Sequence, residues 1–171
     1  MNRTIVRTGI AAAAALGVSL AGASLWAGTA SAMPAEGCNA DQLVTTVVHG
    51  SPGAGQRYAE VQFTAKAHQY CQLKGNLPVT ITGARNVLVT PDTFSPATVV
   101  HLRPGSSAHV LLHWTGIADA AQQETPNSIT VRTPGDRGQH VTLPWNEGSV
   151  DASPESHSID VGVVQAGPAD Q

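Results

Sequence analysis

Histidines are the side chains best suited to chemistry in this sequence, because seven occur beside only nine lysines and arginines. His109 and His113 lie in a run of alternating polar and apolar residues, which predicts a strand with both imidazoles on one face. Their Cα atoms would then be about 13 Å apart. One metal ion, with nitrogen ligands at about 2.0–2.1 Å, cannot bind both rings at that separation.

A copper or zinc site would therefore need a histidine from another element. His101 lies on the preceding predicted strand, and a turn at residues 103–106 would place it opposite Ala108, on the other face from His109. We keep His101, His109 and His113 as the candidate ligands of a metal-binding alternative. Because the sequence has no His-x-His and no Cys-x-x-Cys pair, we predict no metal site and no other cofactor.

Catalytic patterns give equally little support for an enzyme. No Gly-x-Ser-x-Gly nucleophile motif occurs. Asp151, Glu155 and Asp160 could supply the two carboxylates of a glycosidase, but they lie in a polar loop and the strand start that follows it, where solvation is the simpler interpretation. We predict no catalytic residues, and an extracellular hydrolase remains an alternative.

Two tryptophans are candidates for a contact surface. Trp114 shares an apolar strand face and is predicted to lie in the core. Trp145 follows Pro144 at a predicted strand end, where an exposed aromatic ring beside a loop could contact a partner. Packing at the edge of the fold is the alternative interpretation of Trp145, and it is the commoner one for tryptophan.

These side chains are positioned by short strands that Gly and Pro separate. The predicted strands are Leu43–His49, Arg57–Ala67, Pro78–Thr82, Asn86–Thr90, Thr98–Leu102, Ser107–Thr115, Ser128–Thr133, Gln139–Trp145 and Ser158–Val164. Only Ile117–Glu124 has a helical pattern, of about two turns. About seven to nine short strands in one chain favour an all-β sandwich or barrel.

The first 32 residues have the pattern of a secretory signal peptide. A start with two arginines precedes an alanine-rich apolar run, which ends at the small-x-small site Ala30-Ser31-Ala32. A membrane anchor is the alternative, but small polar residues interrupt the run. We therefore predict a signal peptide at 1–32, a short lead at 33–37, the β domain at 38–165 and a disordered tail at 166–171.

Loss of the two arginines at the N-terminus makes the remaining domain more acidic than the full chain, whose net charge is −3. An acidic domain disfavours nucleic acid and anionic lipid as partners. We predict a secreted, extracellular or cell-wall protein that has no membrane span after signal cleavage.

Cys38 and Cys71 are the only cysteines. An even number of cysteines in an exported chain favours a disulfide, and two cysteines allow one pairing. A reactive or metal-binding thiol pair is the alternative, which the missing Cys-x-x-Cys spacing disfavours.

Several short motifs together resemble an actinobacterial secreted family known as domain of unknown function DUF4232. In order they are Cys38-x-x-x-Gln42-Leu43, Gly53-Ala54-Gly55-Gln56-Arg57-Tyr58, Val61-Gln62-Phe63-Thr64, Cys71-Gln72-Leu73-Lys74-Gly75, Leu102-Arg103-Pro104-Gly105-Ser106-Ser107-Ala108, Leu111-Leu112-His113-Trp114 and Ile129-Thr130-Val131-Arg132-Thr133-Pro134-Gly135. The resemblance implies an immunoglobulin-like antiparallel β-sandwich with a disulfide between the matching cysteines. It implies no activity. We accordingly predict binding or adhesion to an unknown envelope or extracellular partner, with metal binding and hydrolysis as the two alternatives.

Overall fold

Short strands build the computed structural model, which describes residues 36–136 and 139–170. The strands of these ranges are β1 (Leu43–His49), β2 (Gln56–Ala65), β3 (Cys71–Lys74), β4 (Val79–Thr82), β5 (Leu88–Pro91), β6 (Val99–Leu102), β7 (Ser107–Thr115), β8 (Gln123–Glu124), β9 (Ser128–Arg132), β10 (His140–Pro144), β11 (Val150–Asp151), β12 (Ser158–Val161) and β13 (Gln165–Ala166). The described helical turns are 3-10 turns at Ala40–Gln42 and Ala120–Gln122. The prediction of an all-β fold is confirmed.

The centre of the main sheet is the long antiparallel pair β2 and β7, which stay in register from Gln56↔Thr115 to Thr64↔Ser107. Buried and partly exposed residues alternate along both strands. The predicted apolar faces are therefore confirmed, and their buried members are Val61, Phe63, Ala65, Ala108, Val110, Leu112 and Trp114. The opposite, outward face carries the polar side chains of the same strands.

The main sheet has the order β1-β2-β7-β12-β5, and β13 also pairs with β7. The pairing of β12 with β5 is parallel, which the antiparallel prediction did not include. Smaller sheets of order β10-β9-β4, β3-β6 and β11-β8 complete the fold. Ile129 of β9 and Leu73 of β3 share one hydrophobic cluster with the inner face of β2 and β7. An immunoglobulin-like topology stays a prediction.

Cys38 and Cys71 form a disulfide with an S–S distance of 2.05 Å, which confirms the predicted bridge. Cys38 lies beside the start of β3, since its N–H donates to the carbonyl oxygen of Gln72 at 3.0 Å. On its other side, the Cys38 carbonyl oxygen accepts from the N–H of Gly135 at 3.0 Å. A Cβ on Gly37 would come within 2.6 Å of the Pro134 oxygen. Of the predicted lead 33–37, residues 33–35 lie outside the described residues. Glu36 and Gly37 are joined to the fold, since Gln72 donates its N–H to the Glu36 carbonyl oxygen at 2.9 Å and Gly37 forms a β-bridge with Gln72.

The predicted helix over Ile117–Glu124 is wrong, because its start is held in a loop by a buried carboxylate and its end pairs with β11 as strand β8. Asp151 is 2% exposed and accepts hydrogen bonds from the N–H groups of Ile117 at 3.2 Å and Ala118 at 3.0 Å. The Gln123 amide also donates to it, at 3.2 Å. The segment forms a loop, the 3-10 turn at Ala120–Gln122 and strand β8 instead.

Replacing Asp151 with asparagine should destabilise the domain by about 1–3 kcal/mol at neutral pH, as expected for a buried acceptor that loses its charge. Burial alone would raise the pKa of Asp151, but hydrogen bonds from Ala118, Ile117 and two side chains outweigh burial and hold the pKa below its ordinary value. Because the folded pKa is the lower one, this stabilisation is present above the ordinary aspartate pKa of about 3.9 and is lost as pH falls through the folded pKa.

Urea unfolding of wild type and Asp151→Asn at neutral pH and in acid checks this expectation. The difference in free energy of unfolding should shrink in acid, since the asparagine does not titrate. Asp160→Asn is the control, because Asp160 is exposed and an exposed ion pair contributes little. An equal loss for both variants, or a difference that does not change with pH, would contradict the assigned role of Asp151.

The predicted disordered tail is also wrong for the described residues 166–170. Gln165 pairs with His109 and Ala166 with Ala108, so β13 follows β12 along the same edge of β7. Beyond the strand, Ala169 donates its N–H to the Gln62 side chain at 2.8 Å. Polar partners on the outer face therefore fix this segment, although it has few apolar residues.

The predicted signal peptide at 1–32 lies outside the described residues. Within residues 36–136 and 139–170, no helix is long and apolar enough to cross a membrane.

Candidate functional site

The outer face of the main sheet carries most of the chemistry-bearing side chains, because outward positions of β2 and β7 are polar. Tyr58 and His113 are register partners, and their rings stack with centroids 4.9 Å apart. The imidazole of His113 pairs through Nε2 with the Gln56 side chain, and its Nδ1 lies 3.6 Å from Asp160 Oδ2. His113 is therefore held between three neighbours, two on β2 and one on β12.

The structure separates the three candidate metal ligands. His109 lies 4.0 Å from Glu60 and 3.2 Å from the Gly167 carbonyl oxygen, under the C-terminal segment. His101 is exposed on β6 and pairs with Gln72 of β3, so its predicted place opposite Ala108 is wrong. The turn at residues 103–106 carries the chain from one sheet to another instead of closing a hairpin. In the described ranges, no group of three or more His, Cys, Asp or Glu side chains is arranged to hold a metal ion.

A groove of about 410 Å³ lies beside His113 on this face. We call it the Phe94 groove, and its lining residues are Thr90, Pro91, Asp92, Phe94, Leu111, His113, Asp160, Val161 and Gly162. Leu111 and Pro91 supply apolar surface, and the side chain of Asp160 is 55% exposed. Such a surface can hold an apolar side chain and places a carboxylate next to it.

Phe94 is the most exposed large apolar side chain of the described residues, at 98%. Its loop is tied down, because Asp92 Oδ1 accepts from the N–H groups of Phe94 at 2.8 Å and Ser95 at 3.1 Å. Asn76 donates to the Asp92 carbonyl oxygen at 2.6 Å, and Asp92 N–H donates to Val161 at 2.8 Å. Hydrogen bonds from the Ser95 side chain and then from the Phe94 and Ser95 backbones lower the pKa of Asp92, so the turn persists at neutral pH.

Sequence reasoning missed Phe94. The usable signal was Asp92 two residues before it, because an aspartate that caps following N–H groups is a turn former. A lone phenylalanine in such a turn cannot reach the core as easily as one within a strand.

A second cavity, of about 440 Å³, opens at one end of the fold. We call it the end cavity, and its lining residues are His49, Gly50, Pro52, Arg57, Tyr58, Trp114, Gly116, Gln123, Asn146, Glu147, Gly148 and Ser149. His49 Nδ1 lies 2.5 Å from Glu147 Oε2, and the glutamate side chain is only 7% exposed. The carboxylate of this cavity is therefore already paired.

Trp145, the predicted partner contact, lies in the core at 5% exposure. Its ring centroid is 5.0 Å from that of Trp114, and its Nε1 donates to the Gly148 carbonyl oxygen at 2.7 Å. The edge-packing interpretation fits this geometry. Two of the carboxylates considered for glycoside cleavage are also in different surroundings. Asp151 is buried and accepts hydrogen bonds from the loop after β7, whereas Asp160 faces outward on β12.

The comparisons with known proteins agree with the resemblance seen in the sequence. Comparisons with curated proteins and with solved structures give no match. Residues 38–168 match the family described as a domain of unknown function, DUF4232. The match begins at the disulfide cysteine and continues through β13, so it covers far more than half of the chain. This chain therefore belongs to the DUF4232 family.

Proposed function

We propose that this protein is an extracytoplasmic binding domain, without catalytic activity, that holds a partner protein at the Phe94 groove. The signal-peptide pattern of residues 1–32 and the disulfide support a location outside the cytoplasm. The observation that carries the binding role is the solvent exposure of Phe94, which a hydrogen-bonded turn holds at the surface.

A fixed, exposed aromatic ring favours partner binding for an energetic reason. Burying a phenylalanine side chain contributes about 1.5–3 kcal/mol, and this domain leaves that free energy unused. Since the Asp92 turn already restricts the loop, binding would cost little further ordering. Aromatic anchors of this kind commonly dominate protein interfaces.

The occupant that fits is an apolar peptide segment with a lysine or arginine beside its apolar side chain. Leu111 and Pro91 would contact the apolar side chain, and the exposed carboxylate of Asp160 would face the cation. The acidic charge of the chain favours the same partner.

Site-specific photocrosslinking tests the proposal. A photoreactive phenylalanine analogue is placed at position 94, or at position 70 as the control, and the domain is incubated with the envelope fraction of the producing organism. Tyr70 is a suitable control because it is also exposed, at 67%, but does not line the groove. A protein crosslinked from position 94 and not from position 70 is expected.

Affinity for that purified partner should fall at least about 10-fold in Phe94→Ala, and remain unchanged in Tyr70→Ala. Asp160→Asn should weaken binding less and reduce its dependence on salt, as expected for an exposed charge pair. A partner captured equally from both positions, or an affinity that Phe94→Ala leaves unchanged, would refute the groove as the binding site.

A further inference from the structure

Arg57 occupies an unusual place for an arginine. It stands on the same side of β2 as the buried Ala59 and Val61, and its register partner on β7 is the buried Trp114. The Arg57 side chain is thus on the core-facing side of the sheet, and it lines the end cavity. Arg57 is half-buried there rather than exposed.

Gly116 leaves room for this side chain. A Cβ at position 116 would lie 3.4 Å from Arg57 Nε and 3.5 Å from Arg57 Cγ. It would also lie 3.2 Å from the Ser149 carbonyl oxygen. The Arg57 side chain therefore packs against the backbone of Gly116 at the wall of the cavity.

The guanidinium of Arg57 has no anionic partner in the part of the chain that the structure describes. Among residues 36–136 and 139–170, every ion pair within 4.0 Å involves a histidine, and none involves Arg57. The carboxylate that lines the same cavity, Glu147, is paired with His49 at 2.5 Å. A half-buried cation without a partner is costly, and its five N–H donors remain available to a ligand.

We infer that the end cavity binds the carboxylate group of a small organic acid, with Arg57 as its anchor. A guanidinium binds a carboxylate through two parallel hydrogen bonds. Pro52 lines the same cavity and is exposed, so the remainder of the ligand would meet apolar surface there, with the buried Trp114 directly behind the wall. The volume of about 440 Å³ is within the range of small-molecule sites.

The nearby charge selects a monoanion. Glu147 is almost fully buried in the wall, and the chain carries a net charge of −3. A dianion such as phosphate would meet stronger repulsion from both than a monocarboxylate would. This inference is independent of the proposed partner site, because Arg57 does not line the Phe94 groove.

Titration with benzoate, followed by the indole N–H resonances of the isotope-labelled protein, tests the inference. Benzoate should shift the Trp114 indole signal in a saturable way, while its neutral analogue benzamide and inorganic phosphate should bind at least about 10-fold more weakly. The affinity for acetate, which lacks the ring, should lie between the affinities for benzoate and benzamide. These ligand comparisons use the unaltered protein, so they do not depend on how any variant folds.

Variants then locate the anchor. Arg57→Gln should remove benzoate binding, and Arg57→Lys should weaken it because a lysine lacks the planar fork. Arg132→Gln is the matched control, since Arg132 is an exposed arginine of β9 away from the cavity, and it should change nothing. Glu147→Gln should bring phosphate closer to benzoate in affinity. No benzoate binding, equal binding of benzamide, or unchanged binding by a folded Arg57→Gln protein would each overturn the inference.

Discussion

Removing the disulfide should lower the free energy of unfolding by about 2–5 kcal/mol, the usual loss for a native bridge in a small domain. The bridge joins residues separated by 33 positions, and it encloses β1 and β2. In the chain-entropy account, reopening this loop gives the unfolded chain freedom that the bridge had denied it. Denaturant unfolding of the Cys38→Ser/Cys71→Ser protein measures the loss.

The double variant is preferred to Cys71→Ser alone because it leaves no reactive thiol. Wild-type protein treated with a reductant under mild denaturation is the control, and it should approach the stability of the double variant. Thiol titration of unfolded, unreduced wild type should detect no free cysteine. Two free thiols, or a double variant as stable as wild type, would contradict the structural role of the bridge.

Replacing Trp145 with alanine should cost about 3–5 kcal/mol, as for other large aromatic side chains removed from a core. The ring is 5% exposed, packs on Trp114, and donates a hydrogen bond to Gly148 at 2.7 Å. A tryptophan on the surface would instead change stability by only about 0.5 kcal/mol. The measurement therefore separates the core position from the partner contact that the sequence suggested.

Trp145→Phe is the matched control, because it keeps an aromatic ring and loses the indole donor. We expect it to cost about 0.5–1.5 kcal/mol, the net contribution of one hydrogen bond, together with a small packing term. A Trp145→Ala protein within experimental error of wild type would show that the ring does not support the core.

Strand prediction succeeded where alternation is long. The predicted ranges of β1 and β7 coincide with the observed ones, and in β7 buried and partly exposed residues alternate over the whole strand. β3 was missed although β4, β5 and β6 are equally short, because no Gly or Pro precedes it to mark where β2 ends and a new strand begins. The tail and the loop after β7 were misassigned for a different reason, since distant acceptors such as Gln62 and Asp151 bind them and local sequence does not reveal such partners.

The candidate site could be predicted less well than the fold. Strand periodicity was enough to predict that His109 and His113 lie on the same face of β7. The place of His101 depended on whether β6 pairs with β3 or with β7, which periodicity does not reveal. Phe94 and Arg57 acquire their significance from non-local facts, namely an exposed turn beside a groove and a missing carboxylate partner. The turn has a local signal in Asp92, but the groove and the missing partner have none.

The position of β12 between β7 and β5 has a consequence for incomplete chains. The Phe94 groove is built from residues 90–94, 111–113 and 160–162, which are far apart in the sequence. A chain that stops before Ser158 would present Phe94 but would lack one wall of the groove and the sheet neighbour that positions β5. The groove therefore needs the C-terminal part of the domain, and a partner that recognises it would bind a chain without β12 more weakly.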